Sequence, residues 1–265
     1  MVDLRGLRVL VTRPGQRGEA LSEAIRAAGG SAVHFPAMQI AGISDSDGLR
    51  ALARSFPRRL LAVFISPNAA TFGRAWLHSQ GLWDRVVTNR VAAVGGGTAQ
   101  LLRDFGIADL LSPHSGSGGA ALLELPELAS LRNTQVVLFR GVGGKEDLAR
   151  QLTARGARLR SAEVYRRVRP ATRLTAQRLA GVDIVTTSSR EGLENLYALA
   201  EPAAAELLRR LPLLVSSAEA ARSARTHGQR ISPIITPQSN ERILEELERW
   251  RTNRRRKATP PGTAN

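Results

Sequence analysis

Six times along this chain a short apolar run ends in small, hydroxylated or glycine residues and then opens into an amphipathic stretch. The six segments are Val9–Leu21, Val63–Ala75, Val91–Leu102, Val136–Leu148, Ile184–Leu196 and Leu213–Ala224. An unbroken apolar run suits a strand covered on both faces, and apolar positions at i, i+3 and i+4 suit the helix that follows. Each segment therefore reads as a buried parallel strand, a tight turn and the first turn of a helix. The same grammar predicts further strands at Ala32–Phe35, Ala108–Leu111 and Ile231–Ile235, with an extended run at Arg158–Val168. Helices are expected at Leu49–Ser55, Ala120–Leu131, Lys145–Arg155, Ala203–Arg210 and Asn240–Trp250. Strands alternating with helices imply an α/β protein with mostly parallel sheets and right-handed crossovers. The number of strands calls for two such sheets, although nothing in the grammar marks a boundary between two domains.

A helix start presents unpaired backbone N–H groups and a positive dipole end. Several such starts at the carboxyl edges of strands suit a ligand carrying many carboxylates or phosphates. The candidate contacts are Ser66 and Asn68 around Pro67, Gly97 and Thr98 in the GGGT turn, Ser188 and Ser189, and Ser217. Each hydroxyl also has a plain structural role as a helix cap, and Thr98 is expected to cap its own helix. The three glycines before Thr98 lack the G-x-G-x-x-G spacing of a dinucleotide site. Arg13 and Arg140 follow strands directly and could grip carboxylates bidentately.

Composition narrows the ligand further. The net charge is +15, and among 38 basic residues only Lys145 and Lys257 are lysine. Such a field favours anionic partners. The arginines are nevertheless scattered, and no helix-turn-helix or aromatic RNA-binding signature accompanies them, so nucleic acid is not the expected partner. The dense run from Arg251 to Lys257 precedes a Pro/Gly/Thr stretch and reads as a basic disordered tail over 251–265. There is no cysteine, and the four histidines are far apart, so neither a disulfide framework nor a metal site is expected. No apolar stretch approaches the roughly 20 residues that span a bilayer. No signal-peptide pattern precedes the first strand, so a cytoplasmic protein without a membrane partner is expected. The absence of heptads leaves a monomer as the expected state.

Taken in order, the segments carry a resemblance. VLVTRPGQRGEALSEAIRAAGGSAVHFPAMQI at Val9–Ile40, FISPNAATF at Phe64–Phe72 and AVGGGTAQLL at Ala93–Leu102 resemble the uroporphyrinogen-III synthase family. So do LFRGVGGKEDLARQLTARGARLRSAEVYRR at Leu138–Arg167, TTSSREGLENL at Thr186–Leu196 and LLVSSAEAA at Leu213–Ala221. The likeness covers about Val9 to Trp250. It implies two parallel-sheet α/β domains, the first discontinuous (1–36 and 170–250) and the second at 41–162. Two linker strands, 37–40 and 163–169, would join them, with the active site in the interdomain cleft.

The implied reaction is a lyase reaction of porphyrin and heme biosynthesis. The linear tetrapyrrole hydroxymethylbilane loses its terminal hydroxyl to give an azafulvene. The substituted carbon of ring D attacks to form a spiro intermediate, which fragments and recloses as uroporphyrinogen III with ring D inverted. The resemblance implies no cofactor. Its implied partners are this polycarboxylate and, transiently, the hydroxymethylbilane synthase that hands it over. Tyr165, in VYRR, matches the family position where a tyrosine faces the cleft. A phenol, protonated at neutral pH, can donate a proton to the leaving hydroxyl. Beyond Ser217, where some relatives carry hydroxyl residues, this chain has Ala218, Glu219 and Ala220, and an acid there must point away from an anionic substrate. A non-catalytic clamshell binding a small polyanion would share the same fold, and only turnover separates the two.

Overall fold

The computed structural model of the chain describes residues 2–258, the last four by their backbone alone. The chain forms two units: Met1–Gln39 with Val168–Asn265, and Ile40–Arg167. Both are built from the predicted alternation of strand and helix.

In the first unit the strands are β1 (Arg8–Val11), β2 (Ser31–His34), β9 (Ile184–Thr186), β10 (Leu213–Val215) and β11 (Ile234–Ile235). They form one sheet in the order β11-β10-β9-β1-β2, and every pairing is parallel. Val9, Leu10 and Val11 are fully buried because helices cover both faces of the sheet. One face packs α1 (Gly15–Ala27) and α12 (Asn240–Ala258) through Leu21, Ile25, Ile243 and Leu247. The other packs α8 (Ala176–Leu179), α9 (Arg190–Leu199), α10 (Pro202–Arg210) and α11 (Ala218–Thr226). Gly29, at φ +84°, supplies the left-handed residue that stops α1, where a side chain would be strained.

In the second unit six strands run in the order β3-β8-β7-β4-β5-β6. They are β3 (Gln39–Gly42), β4 (Leu61–Phe64), β5 (Arg90–Ala93), β6 (Leu110–Leu111), β7 (Gln135–Gly141) and β8 (Arg158–Val168). β4, with all four residues buried, pairs in parallel with both β7 and β5. One face packs α2 (Asp47–Arg54), α3 (Pro67–Ser79), α4 (Trp83–Val87) and α5 (Gly96–Asp104) over Phe64, Trp76 and Phe139. α6 (Gly119–Leu123) and α7 (Asp147–Ala154) lie against the opposite face.

Three expectations give way. The helix expected over Ala120–Leu131 ends at Leu123, and Pro126 starts a separate 3-10 turn, because proline suits a first helical turn and disrupts an interior one. The basic tail expected from residue 251 begins as helix, since α12 continues to Ala258. The cause is tertiary: Arg251 is buried and donates to the carbonyls of Asp3 and Arg5, while Arg254 pairs with Asp183. Residues 259–265 of that expected tail lie outside the described residues. Finally, Thr98 is not a cap. Gly95 occupies the N-cap of α5, and Thr98 is buried two residues inside the helix. Among the described residues no helix is long and apolar enough to cross a membrane.

Candidate active site

In the second unit the carboxyl ends of β4, β7 and β8 open onto a cavity of about 760 Å³, a size that takes a small organic ligand. Its walls are largely apolar, with Ile65, Val94, Leu138 and Leu148 among them. Three of the residues singled out in the sequence meet there: Ser66, Arg140 and Tyr165.

Tyr165 is 8% exposed, so its ring is packed rather than solvated. Its hydroxyl lies 3.1 Å from Ser66 Oγ. Ser66 has extended backbone and caps α3 by accepting the Ala69 N–H at 3.0 Å. Its capping role and its place in the cavity therefore coexist. Tyr165 sits opposite Gly141 of β7, just past a register shift between Arg140 and Gly141. A Cβ on Gly141 would lie 2.5 Å from Cε2 and 2.6 Å from Cζ of the phenol ring. Glycine is thus the seat of the ring. Gly141→Ala should push the phenol off that seat and slow about tenfold or more any reaction that uses its hydroxyl, since small misplacements of reacting groups are costly. Overpacking should also cost about 1–3 kcal/mol of stability. Steady-state rates and a denaturant titration on the same sample check both; full activity would mean that the ring tolerates displacement.

Arg140 is only 2% exposed, and its guanidinium is turned onto its own loop. It pairs with Glu146 at 2.7 Å and donates to the carbonyls of Gly144 and Lys145. Its Nε is buried without a partner. Arg140 therefore closes the loop between β7 and α7 as well as lining the cavity. Lys145 and Arg167 add positive charge to the lining, and both escaped the sequence reading of the site. Arg167 was accessible to it: residues two apart on a strand share a face, so Tyr165 predicts Arg167. Gly141 was not, because its role depends on which strand lies beside β8.

Asn68 and Gly97, both exposed, stand in the first turns of α3 and α5, outside the cavity lining. The remaining candidates lie in the first unit. Ser189 caps α9 by accepting the Gly192 N–H at 3.0 Å, and Ser217 caps α11 through Ala220 at 3.2 Å. Ser188 is half-buried beside the first of these caps. Glu219 ion-pairs with Arg190 at 3.2 Å, which offsets the negative charge beyond Ser217. Arg13 is turned inward: it donates to the Gln238 carbonyl at 2.8 Å and to Asn240 Oδ1 at 3.1 Å, tying down the start of α12. Burial, and after it the neighbouring Arg17, pulls the Arg13 guanidinium below its ordinary pKa. Among the described residues no three or more histidine, aspartate or glutamate side chains gather where they could hold a metal ion.

Known proteins resemble this chain. The model of the family described as "Uroporphyrinogen-III synthase HemD" matches residues 19–241. The uroporphyrinogen-III synthase of Salmonella typhimurium is 31% identical over 248 residues, which cover 91% of this chain and 100% of the relative. Among solved structures, uroporphyrinogen-III synthetase from Helicobacter pylori superposes with a TM-score of 0.57 at 15% identity, covering 92% of this chain and 98% of the other. A mutant uroporphyrinogen III synthase from Thermus thermophilus gives 0.54 at 20% identity, with 94% and 99% covered. These two likenesses are ones of fold.

Proposed function

The chain belongs to the uroporphyrinogen-III synthase family, enzymes of tetrapyrrole biosynthesis, and on that premise we propose how its own residues carry the reaction. The cavity of the second unit receives the hydroxymethyl end of hydroxymethylbilane, and Tyr165 is the general acid. The observation that carries this reading is the Tyr165 hydroxyl, held 3.1 Å from Ser66 Oγ in the wall of a largely apolar cavity.

In the first step the Tyr165 Oη proton passes to the hydroxyl oxygen of the substrate. The C–O bond breaks, its electron pair leaves with water, and the pyrrole nitrogen lone pair completes the azafulvene cation. Attack by the substituted carbon of ring D, fragmentation of the spiro species and reclosure need no further proton. The proton released when ring D regains its aromaticity returns to the phenolate, so the enzyme ends as it began and the net change is loss of one water. Apolar walls exclude bulk water, which would otherwise capture the cation. Lys145 and Arg167 offer charge to the acetate and propionate groups, and the helix start at Ser66 offers backbone N–H groups. Direct hand-over of the unstable linear substrate by the enzyme that makes it, action as a monomer and a cytoplasmic location belong to the same proposal.

The purified protein, supplied with freshly generated hydroxymethylbilane and a chelator, is expected to give predominantly isomer III, scored against isomer I by chromatography. Isomer I at the spontaneous rate would leave the chain a binding protein for the same polyanion.

A further inference from the structure

We propose that Ser66 is the positioning residue of the Tyr165 phenol, acting across an intervening strand through the gap left by Gly141; this rests on Tyr165 being the acid. Ser66 follows β4 and Tyr165 lies on β8, and β7 runs between those two strands. Neighbouring strands are about 4.8 Å apart, so two side chains on strands twice that distance apart do not normally touch. Here they do, 99 residues apart in sequence. The register explains it. Phe64 of β4 is level with Phe139 of β7. Ser66 and Gly141 each stand two residues further on, and Gly141 is level with Tyr165. At that level the middle strand has no side chain, and the phenol ring lies over its backbone to reach the serine.

Either hydroxyl can be the donor in this contact, and the direction that serves the reaction is the one in which Ser66 donates. Ser66 Oγ has one proton and two lone pairs, and the Ala69 N–H occupies one of those lone pairs. When Ser66 donates its proton to Tyr165 Oη, the phenol proton is left to point into the cavity. Once that proton has gone to the substrate, Ser66 donates to a phenolate, a stronger hydrogen bond than one to a neutral phenol. The positive end of the 13-residue α3 stands behind it. The contact is therefore worth more after proton transfer than before, which places its effect on kcat rather than on substrate affinity.

The test is a double-mutant cycle. Ser66→Ala is expected to lower kcat about tenfold with KM little changed, and Ser66→Thr, which keeps both the hydroxyl and the cap, to restore most of the loss. In a Tyr165→Phe background Ser66→Ala should cause no further fall. Rates are taken per folded protein, with thermal melts on each variant, because removal of the cap lowers the midpoint equally in both backgrounds. A full additional loss in the Tyr165→Phe background, or a raised KM with kcat kept, would overturn the positioning role while leaving the acid in place. Wild-type turnover by Tyr165→Phe itself would overturn the acid, and the positioning role with it.

Discussion

Tyr165→Phe is expected to cut turnover by roughly 10²-fold or more, the scale of general acid catalysis. The change deletes one oxygen. The ring keeps its packing against Gly141 and, at 6.1 Å between centroids, against Phe72, so the thermal midpoint should scarcely move. An unchanged KM alongside the lower kcat would place the loss in the transition state. Residual activity remains because the cavity still holds the substrate and a water molecule can protonate the leaving hydroxyl slowly. Turnover at the wild-type rate would send the search for the acid elsewhere, and the substrate's own carboxylic acid groups would be the next donors to examine.

The second large effect concerns stability. Phe139 is fully buried, and its ring stacks on Phe64 with centroids 4.4 Å apart and planes 7° from parallel. Trp76 closes the pair from the side at 6.4 Å, and Gly73 of α3 approaches so closely that a Cβ there would lie 3.0 Å from both rings. Phe139→Ala removes one half of this stack from a place with little room to collapse. About 3–5 kcal/mol should be lost. Total stabilities are commonly about 5–15 kcal/mol, so the variant should be near its limit at growth temperature. Trp76 and Trp83 belong to the same core, so with the first unit's Trp250 replaced by Phe, urea unfolding followed by tryptophan fluorescence reports on the second unit. A loss below about 1 kcal/mol would mean that neighbouring side chains refill the space. Activity should fall along with stability, because Phe139 stands two residues before the glycine that seats Tyr165.

The buried strands of the fold were plain in the residue pattern, although the boundary between the two units was not. VLV in β1, LAVF in β4 and VVLF in β7 are continuous apolar runs because both faces of each sheet are covered, and period alone identifies them. Serine before a helix was equally legible, and Ser66, Ser189 and Ser217 do cap their helices. What escaped depends on distant partners. The five-residue α4, WDRVV, is too short to show a period, and it exists because Trp83 and Val86 pack into the core. The extension of α12 past Trp250 depends on carbonyls at Asp3 and Arg5, at the other end of the chain. In the site, Tyr165 stood out through resemblance, whereas Arg167 went unread although strand periodicity points to it from Tyr165. Gly141 could not stand out, because nothing local says that β7 separates β4 from β8. Arg13 and Arg140 look alike in sequence, each following a strand, yet one anchors a helix start and the other clasps its own loop beside the cavity.

The register shift on β8 bears on how such a site is inherited. Phe139 faces Ala162 and Arg140 faces Glu163, but Gly141 faces Tyr165, so Val164 is one residue more than strict pairing requires. Alternation alone would send Ala162 and Val164 to one face and Tyr165 to the other. The extra residue brings Tyr165 round to join them in the same core. The address of the phenol is thus written in the register of the strand as much as in the identity of the residue. A descendant that kept Val164 but paired it with Gly141 would keep every one of these side chains in its sequence and turn the phenol to the other side of the sheet. Comparison of distant relatives by residue identity would score that chain as intact, whereas the register between β7 and β8 would reveal the change.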